Sequence, residues 1–189
     1  MKRGTRVTAV AAAVVVSGLG FAGTASAVGP PVYTKYAVVG TTHVAKPDAN
    51  VKLGPGTVEM YTDIGPYTYY GTFTLPSARV TSGAVSATVT LGPARIEGSS
   101  FGGFTGTATW PVRVSDVTVG GAPYDVGPAC GTAQPVTTEI TSADFTLSTG
   151  GHLKSTYTIG TFANCGPGTA PVNAAVPGPG NTLALTLTP

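Results

Sequence analysis

Charge is what this 189-residue chain has least of: Asp, Glu, Lys and Arg make up 10% of it, against about 25% in an ordinary soluble domain. Three of its ten basic residues, Lys2, Arg3 and Arg6, sit at the amino terminus. Beyond residue 27, seven basic side chains stand against eight acidic ones, scattered singly along the chain. No clustered basic footprint is left to neutralise phosphates, so nucleic acid is excluded as an expected partner. A polybasic patch for an anionic membrane surface is missing for the same reason. Histidine is scarce too. His43 and His152 stand alone, at no spacing that suits a metal, and each is expected to be an exposed polar residue. Asp48 and Asn50 offer two oxygens near one turn, too few for a calcium loop. No metal site and no cofactor are expected.

Long apolar runs are equally rare. The one present, Val7 to Gly20, follows the basic start and gives way to Ala25-Ser26-Ala27. A basic start, a short apolar core and an A-x-A exit describe a secretory signal peptide over residues 1–27, since a membrane span needs about 20 apolar residues. The remainder, 28–189, is long enough for one domain with a real core. It is expected to be secreted, extracellular or cell-wall associated, with no transmembrane span after cleavage. Cys130 and Cys165 are the only cysteines. In an oxidising compartment such a pair is expected to form a disulfide. No C-x-x-C and no neighbouring histidine support a reactive thiol.

Sustained 3.6-residue periodicity is absent from residues 28–189, which argues against βαβ units. What fills the chain is threonine, valine and alanine, punctuated by 27 glycines and 16 prolines. β-Branched residues suit a pleated surface, and glycine and proline mark turns. Turn signals recur about every 8 to 12 residues, which predicts an all-β fold. The expected architecture is an antiparallel β-sandwich, immunoglobulin-like or jelly-roll-like, with a partly closed β-barrel as the alternative.

Strands are predicted at 36–44, 57–64, 69–75, 85–91, 94–97, 104–110, 112–119, 124–126, 136–140, 144–147, 153–159 and 182–188. Val58, Met60, Thr62 and Ile64 would share an inward face, as would Val85, Ala87, Val89 and Leu91, and Leu183, Leu185 and Leu187. Turns are predicted at 46–50, at Gly54-Pro55-Gly56, at Gly65-Pro66, at Gly120-Gly121 and at Gly178-Pro179-Gly180-Asn181.

One catalytic pattern occurs. Gly98-Ser99-Ser100-Phe101-Gly102 fits G-x-S-x-G, whose chemistry needs a sharp strand-to-helix turn that exposes the serine. Gly103-Phe104-Thr105-Gly106 follows instead of a helix, so a surface loop is expected and no residue is assigned a catalytic role. The aromatic cluster is more informative. Tyr61, Tyr67, Tyr69 and Tyr70, with Phe73, surround a Gly-Pro turn. The four tyrosines are the candidate ligand-binding residues, a stacking surface for a sugar or an apolar ligand. The competing reading is cross-strand packing. Trp110 is the sole tryptophan and is expected in the core.

The carboxyl-terminal third carries a resemblance. Val126-Gly127-Pro128-Ala129-Cys130-Gly131-Thr132, Tyr157-Thr158-Ile159, Cys165-Gly166 and Val176-Pro177-Gly178-Pro179-Gly180-Asn181-Thr182 resemble an uncharacterised group of actinobacterial secreted proteins. Leu53-Gly54-Pro55-Gly56-Thr57 and Gly71-Thr72-Phe73-Thr74-Leu75-Pro76 extend the likeness over most of residues 28–189. Gly160-Thr161 departs from the prolines that the group carries after Tyr-Thr-Ile. The resemblance implies an exported β-rich domain and transfers no catalytic residue. The functional expectation is a non-catalytic secreted domain that binds a cell-envelope or extracellular ligand, a lipid or a polysaccharide. A structural or matrix protein of the cell surface is the alternative, and a serine hydrolase using Ser100 ranks third.

Overall fold

A computed structural model describes residues 29–189; the signal-peptide reading of 1–27 lies outside them. The chain runs through β1 (Val32–Val44), β2 (Ala49–Asp63), β3 (Thr68–Thr74), β4 (Ala78–Ser82), β5 (Val85–Leu91), β6 (Ala94–Ser99) and β7 (Phe104–Trp110). It continues with β8 (Val112–Val119), β9 (Ala122–Pro123), β10 (Gly131–Thr132), β11 (Val136–Ser142), β12 (Gly151–Ile159) and β13 (Phe162–Ala163). A 3₁₀ turn at Gly166–Gly168 leads into one short helix, α1 (Thr169–Ala175), and β14 (Gly178–Thr188) ends the chain.

Eight of these strands close a barrel in the order β1-β14-β12-β11-β7-β6-β3-β2. Each barrel strand pairs antiparallel with the next one along the chain, and β14 returns to β1 from Ala37↔Thr188 to His43↔Thr182. The all-β, antiparallel expectation holds. The sandwich is replaced by its barrel alternative, fully closed, because β14 pairs on both edges and leaves no open side. Alternation supplies the interior: Tyr36 and Val38, Val58 and Met60, Ile96, Ile140, Leu153 and Leu187 are all buried while their neighbours face out.

In a meander of this kind the connections alternate between the two ends of the barrel. At one end they are short: a turn at 64–67, another at 100–103, and the loop 143–150 with its single bridge Thr146↔Gly150. At the other end three of the four connections are long, and the fourth, from β1 to β2, is a turn at 45–48. The β3-to-β6 connection contains β4 and β5, the β7-to-β11 connection contains β8, β9 and β10, and the β12-to-β14 connection contains β13 and α1. These inserted strands assemble a second sheet in the order β13-β10-β8-β5-β4, with β9 on β8. Pro76, Pro93, Pro111 and Pro135 each fall where the chain passes between barrel and second sheet. Proline has no N–H to continue a ladder, so each marks the switch. Two of these crossings lie side by side: the Gly92 N–H donates to Pro111 O at 2.9 Å, and a Cβ on Gly92 would come within 2.6 Å of the Pro111 ring.

The disulfide forms as expected between Cys130 and Cys165, 35 residues apart and both buried. It staples the edge of the second sheet, where β10 and β13 share only Gly131↔Ala163 and Thr132↔Phe162. Beside it, Asn173 of α1 binds the β13 backbone on both sides. Its Oδ1 accepts from Phe162 N at 2.7 Å and its Nδ2 donates to Phe162 O at 2.9 Å.

Several local expectations are corrected. Gly54-Pro55-Gly56 is not a turn but the middle of β2, beside a register shift between Val38 and Gly40. The glycine at 56 is needed because a Cβ there would strike the carbonyl oxygen of Thr74. Gly178-Pro179-Gly180-Asn181 opens β14 rather than turning the chain. Its Asn181 is fully buried: Nδ2 donates to Tyr157 O and Gly178 O, and Oδ1 accepts from Ala45 N. Residues 144–147 lie in a loop, since Ser142 and Asp144 bind the backbone locally and divert it from a ladder. Ile64 is exposed at the β2–β3 turn, whereas Val58, Met60 and Thr62 point inward. After Gly120-Gly121 the chain pairs with β8 at Ala122–Pro123 and not at 124–126, and the strands Ala78–Ser82, Gly131–Thr132 and Phe162–Ala163 and the helix are additions to the expected elements.

Deleting residues 182–189 removes the partner of both β1 and β12, together with three buried leucines each contributing about 1.5–3 kcal/mol. The truncated protein is expected to lose its cooperative thermal transition; an unchanged melting temperature would contradict the closure. Replacing both cysteines by serine is expected to lower stability by roughly 3–4 kcal/mol in denaturant titration, from the loop the bridge closes.

Candidate functional site

The four candidate tyrosines do not form one site. Tyr69 points into the barrel. It is buried, stacks on Phe104 at 4.4 Å between ring centroids, and donates its hydroxyl to Thr105 O at 2.9 Å. Burial pushes its phenol well above the usual range. Room for that hydroxyl comes from a cross-strand pair of glycines, Gly98↔Gly106, at either of which a Cβ would collide with the Tyr69 oxygen. The first glycine of the G-x-S-x-G pattern is thus explained by packing. Ser100 lies in the β6–β7 hairpin turn, where its Oγ donates to Tyr67 O at 3.3 Å, and the strand-to-helix elbow that the pattern requires is not formed.

Tyr61 and Tyr70 lie on the outside, where the register sets Tyr33, Tyr61 and Tyr70 directly opposite one another across β1, β2 and β3. Their rings form a row: Tyr33 and Tyr61 lie 5.2 Å apart and tilted by 51°, and Tyr61 and Tyr70 are stacked at 5.3 Å within 12° of parallel. Cross-strand packing takes up the inner faces of the row, while Tyr33, Tyr61 and Tyr70 all remain exposed on its outside. Tyr67 pairs with Phe101, which is 78% exposed, at 6.1 Å in the turns beyond.

The two histidines take up local acids. His152 Nδ1 lies 2.6 Å from Asp144 Oδ2, and hydrogen bonds from the His152 ring, its backbone N–H and Ser142 hold the Asp144 carboxyl well below the usual carboxylate range. His43 lies 3.3 Å from Asn50 Oδ1 and 3.8 Å from Asp48. Among the described residues no group of three or more His, Cys, Asp or Glu is placed to hold a metal ion.

The feature with the geometry of a binding site lies at the end of the barrel that carries the long connections. There the first half of β2, Ala49 to Gly56, runs past the end of its pairing with β3 and forms a hairpin with β1 that turns at 45–48, and the second sheet lies opposite it. Between them is a cavity of about 490 Å³, within the range of roughly 300–1,000 Å³ typical of small-molecule sites. One wall is Val44, Ala49, Val51 and Leu53 from the hairpin. The facing wall is Ala78 and Val80 of β4, Val85, Ala87, Val89 and Leu91 of β5, and Val112 and Val114 of β8. The perfect alternation of 85–91 thus turns its apolar face to a cavity instead of a packed core, which is why Ala87 and Val89 remain half-buried. Ala174, Ala175 and Val176 close one side, held in place by the Asn173 clamp on β13.

Trp110 and Tyr157 make the floor, their rings edge to face at 5.7 Å. Trp110 is buried as expected, and the cavity gives it a second role. Polar groups in the lining are already engaged. The Thr42 hydroxyl donates to Thr182 O at 2.8 Å, so the Tyr157 hydroxyl is the donor in its 2.6 Å bond to Thr42 Oγ1. Burial raises the Tyr157 phenol further from ionisation. Ser82 Oγ donates to Pro47 O at 2.6 Å, tying the hairpin tip to β4. Among the described residues Lys46 is the one charged residue in the lining.

A search against protein-family models, curated proteins and solved structures finds no match to the chain. The cavity therefore has to be read from its own chemistry. Sequence reasoning missed it because its walls come from four separate connections. The alternation at 85–91 was the available signal, and it did not say what the apolar face would meet.

Separation of the tyrosines is directly measurable. Tyr69→Ala is expected to cost about 3–5 kcal/mol as a core aromatic truncation. Tyr70→Ala, which loses one exposed stacking pair, should cost about 1 kcal/mol or less. Equal losses in chemical denaturation would contradict the inside–outside assignment.

Proposed function

We propose that this protein is a non-catalytic binder of an apolar, lipid-like ligand, which it holds in the cavity between the barrel mouth and the second sheet. The observation that carries this reading is the lining: aliphatic on both walls, aromatic at the floor, with the polar side chains of its interior paired to one another. Such a surface gains free energy by leaving water, about 0.8 kcal/mol per methylene buried. It offers a sugar almost no free hydrogen-bonding partners. The cavity therefore favours lipid over polysaccharide among the envelope ligands expected from the sequence.

An extracellular or cell-envelope location fits the disulfide, the signal-peptide reading and the resemblance to secreted actinobacterial proteins. No helix among the described residues is long and apolar enough to cross a membrane. In this reading the barrel is a rigid support, and the β1–β2 hairpin and the three long connections at its mouth form the binding device.

Trp110 makes the proposal easy to test, because the only tryptophan of the chain lines the floor. Titration with a brominated alkyl ligand below its micellar concentration is expected to quench Trp110 emission to saturation at one site per chain. Ala87→Phe, which fills the cavity from its β5 wall, should abolish the quenching while retaining the melting transition. Quenching that persists unchanged in the filled variant would place the ligand elsewhere.

A further inference from the structure

Resting on the reading of the cavity as an apolar-ligand site, the geometry points to the class of ligand: we infer a single-chain carboxylate of about 12–16 carbons, its head at Lys46 and its tail at Trp110. The two ends of the cavity are chemically different, and the fold fixes which is which. Ser82 and Val85 are paired at the β4–β5 turn, and the Ser82 bond to Pro47 O sets Lys46 and Pro47 beside them. At the opposite end Leu91 pairs with Val112, one proline away from Trp110. The cavity is therefore a lane running along β5 from a charged mouth to an aromatic floor.

Its length sets the length of the chain. Val85 to Leu91 spans six residue steps, or about 20 Å at roughly 3.3 Å per residue. Carbon–carbon bonds of about 1.5 Å zig-zag to roughly 1.25 Å per carbon, so an extended chain of about 16 carbons fills the lane and one of 8 leaves half of it empty. A volume of about 490 Å³, in the lower half of the usual range for ligand sites, suits one such chain rather than two.

The head group follows from what the mouth offers. Lys46 is exposed, makes no ion pair or side-chain hydrogen bond among the described residues, and is the only ionisable lining residue besides the Tyr157 phenol at the floor. The acid on the same turn, Asp48, is not in the lining and lies 3.8 Å from His43. A lone ammonium with no second cation and no guanidinium fork matches a singly charged carboxylate better than a phosphate dianion.

The test uses the chain from residue 28 onward, and compares dodecanoate and hexadecanoate with the alcohols of equal length, all below their micellar concentrations, by Trp110 emission. Carboxylates are expected to bind about two- to fivefold more tightly than the matching alcohols, the gain of one exposed ion pair. Lys46→Gln should remove that preference and leave the alcohols unchanged. Bromine near the methyl end should quench Trp110 strongly, and bromine beside the carboxylate should not. Equal affinities for acid and alcohol, or a Lys46→Gln variant that keeps the preference, would overturn the head-group assignment while leaving the apolar-ligand reading intact. Stronger quenching from the head-brominated chain would overturn the orientation. Failure of acids and alcohols alike to bind would remove the underlying reading and this inference with it.

Discussion

β14 is the strand on which the architecture depends. It pairs with β1 along one edge and β12 along the other, and without it the eight-stranded ladder has two open edges instead of none. Closure also fixes which way the connections point. Because the barrel strands follow chain order, connections alternate between its two ends, and the three long ones fall at the same end, beside the β1–β2 hairpin. The second sheet and the cavity are consequences of that crowding. Asn181 links the two levels: it sits in β14, yet its amide holds the Ala45 N–H at the tip of the hairpin that forms one cavity wall.

The two ends of the barrel are built differently for the same reason. At the short-turn end Tyr36, Tyr69, Phe104 and Phe145 fill the interior with aromatic rings, in contact in pairs at 4.4 to 5.6 Å. At the long-connection end the interior stops at Trp110 and Tyr157, and the space beyond them is left to the cavity. Packed aromatics stabilise the support and the unfilled aliphatic walls remain available, so rigidity and binding are separated along one axis. The disulfide belongs to the second part, since it secures the edge of the upper sheet where two residue pairs are all that join β10 to β13.

Much of the barrel was legible in the sequence because period-two alternation is local. Leu183, Leu185 and Leu187 declared their face without any knowledge of the partner strands, and so did Val58 and Met60. Prolines were read correctly as breaks, but a break can end a strand or send it into another sheet, and Pro93 and Pro111 do the second. Gly54-Pro55-Gly56 and Gly178-Pro179-Gly180-Asn181 misled for a related reason. Their glycines serve close approach and register shifts inside strands, which local sequence does not distinguish from turns. The tyrosines show the limit most clearly: Tyr69 and Tyr70 are adjacent in the chain and lie on opposite sides of the barrel wall. Adjacency in a strand separates side chains, and the cluster seen in one dimension was divided by the pleat. The candidate site was the least legible part, because its walls meet only after four distant connections have folded together.

The central claim is that the aliphatic walls at the barrel mouth, and not the tyrosine row, form the ligand surface. Methyl-resolved NMR of the folded protein titrated with dodecanoate tests this most directly. The account predicts saturable shifts for methyl groups of Val44, Val80, Ala87, Val89 and Val176, with Val32 and Ile64 at the far end unmoved. Shifts confined to Val32 and Ile64 beside the exposed tyrosines, or none in the cavity methyls, would contradict it.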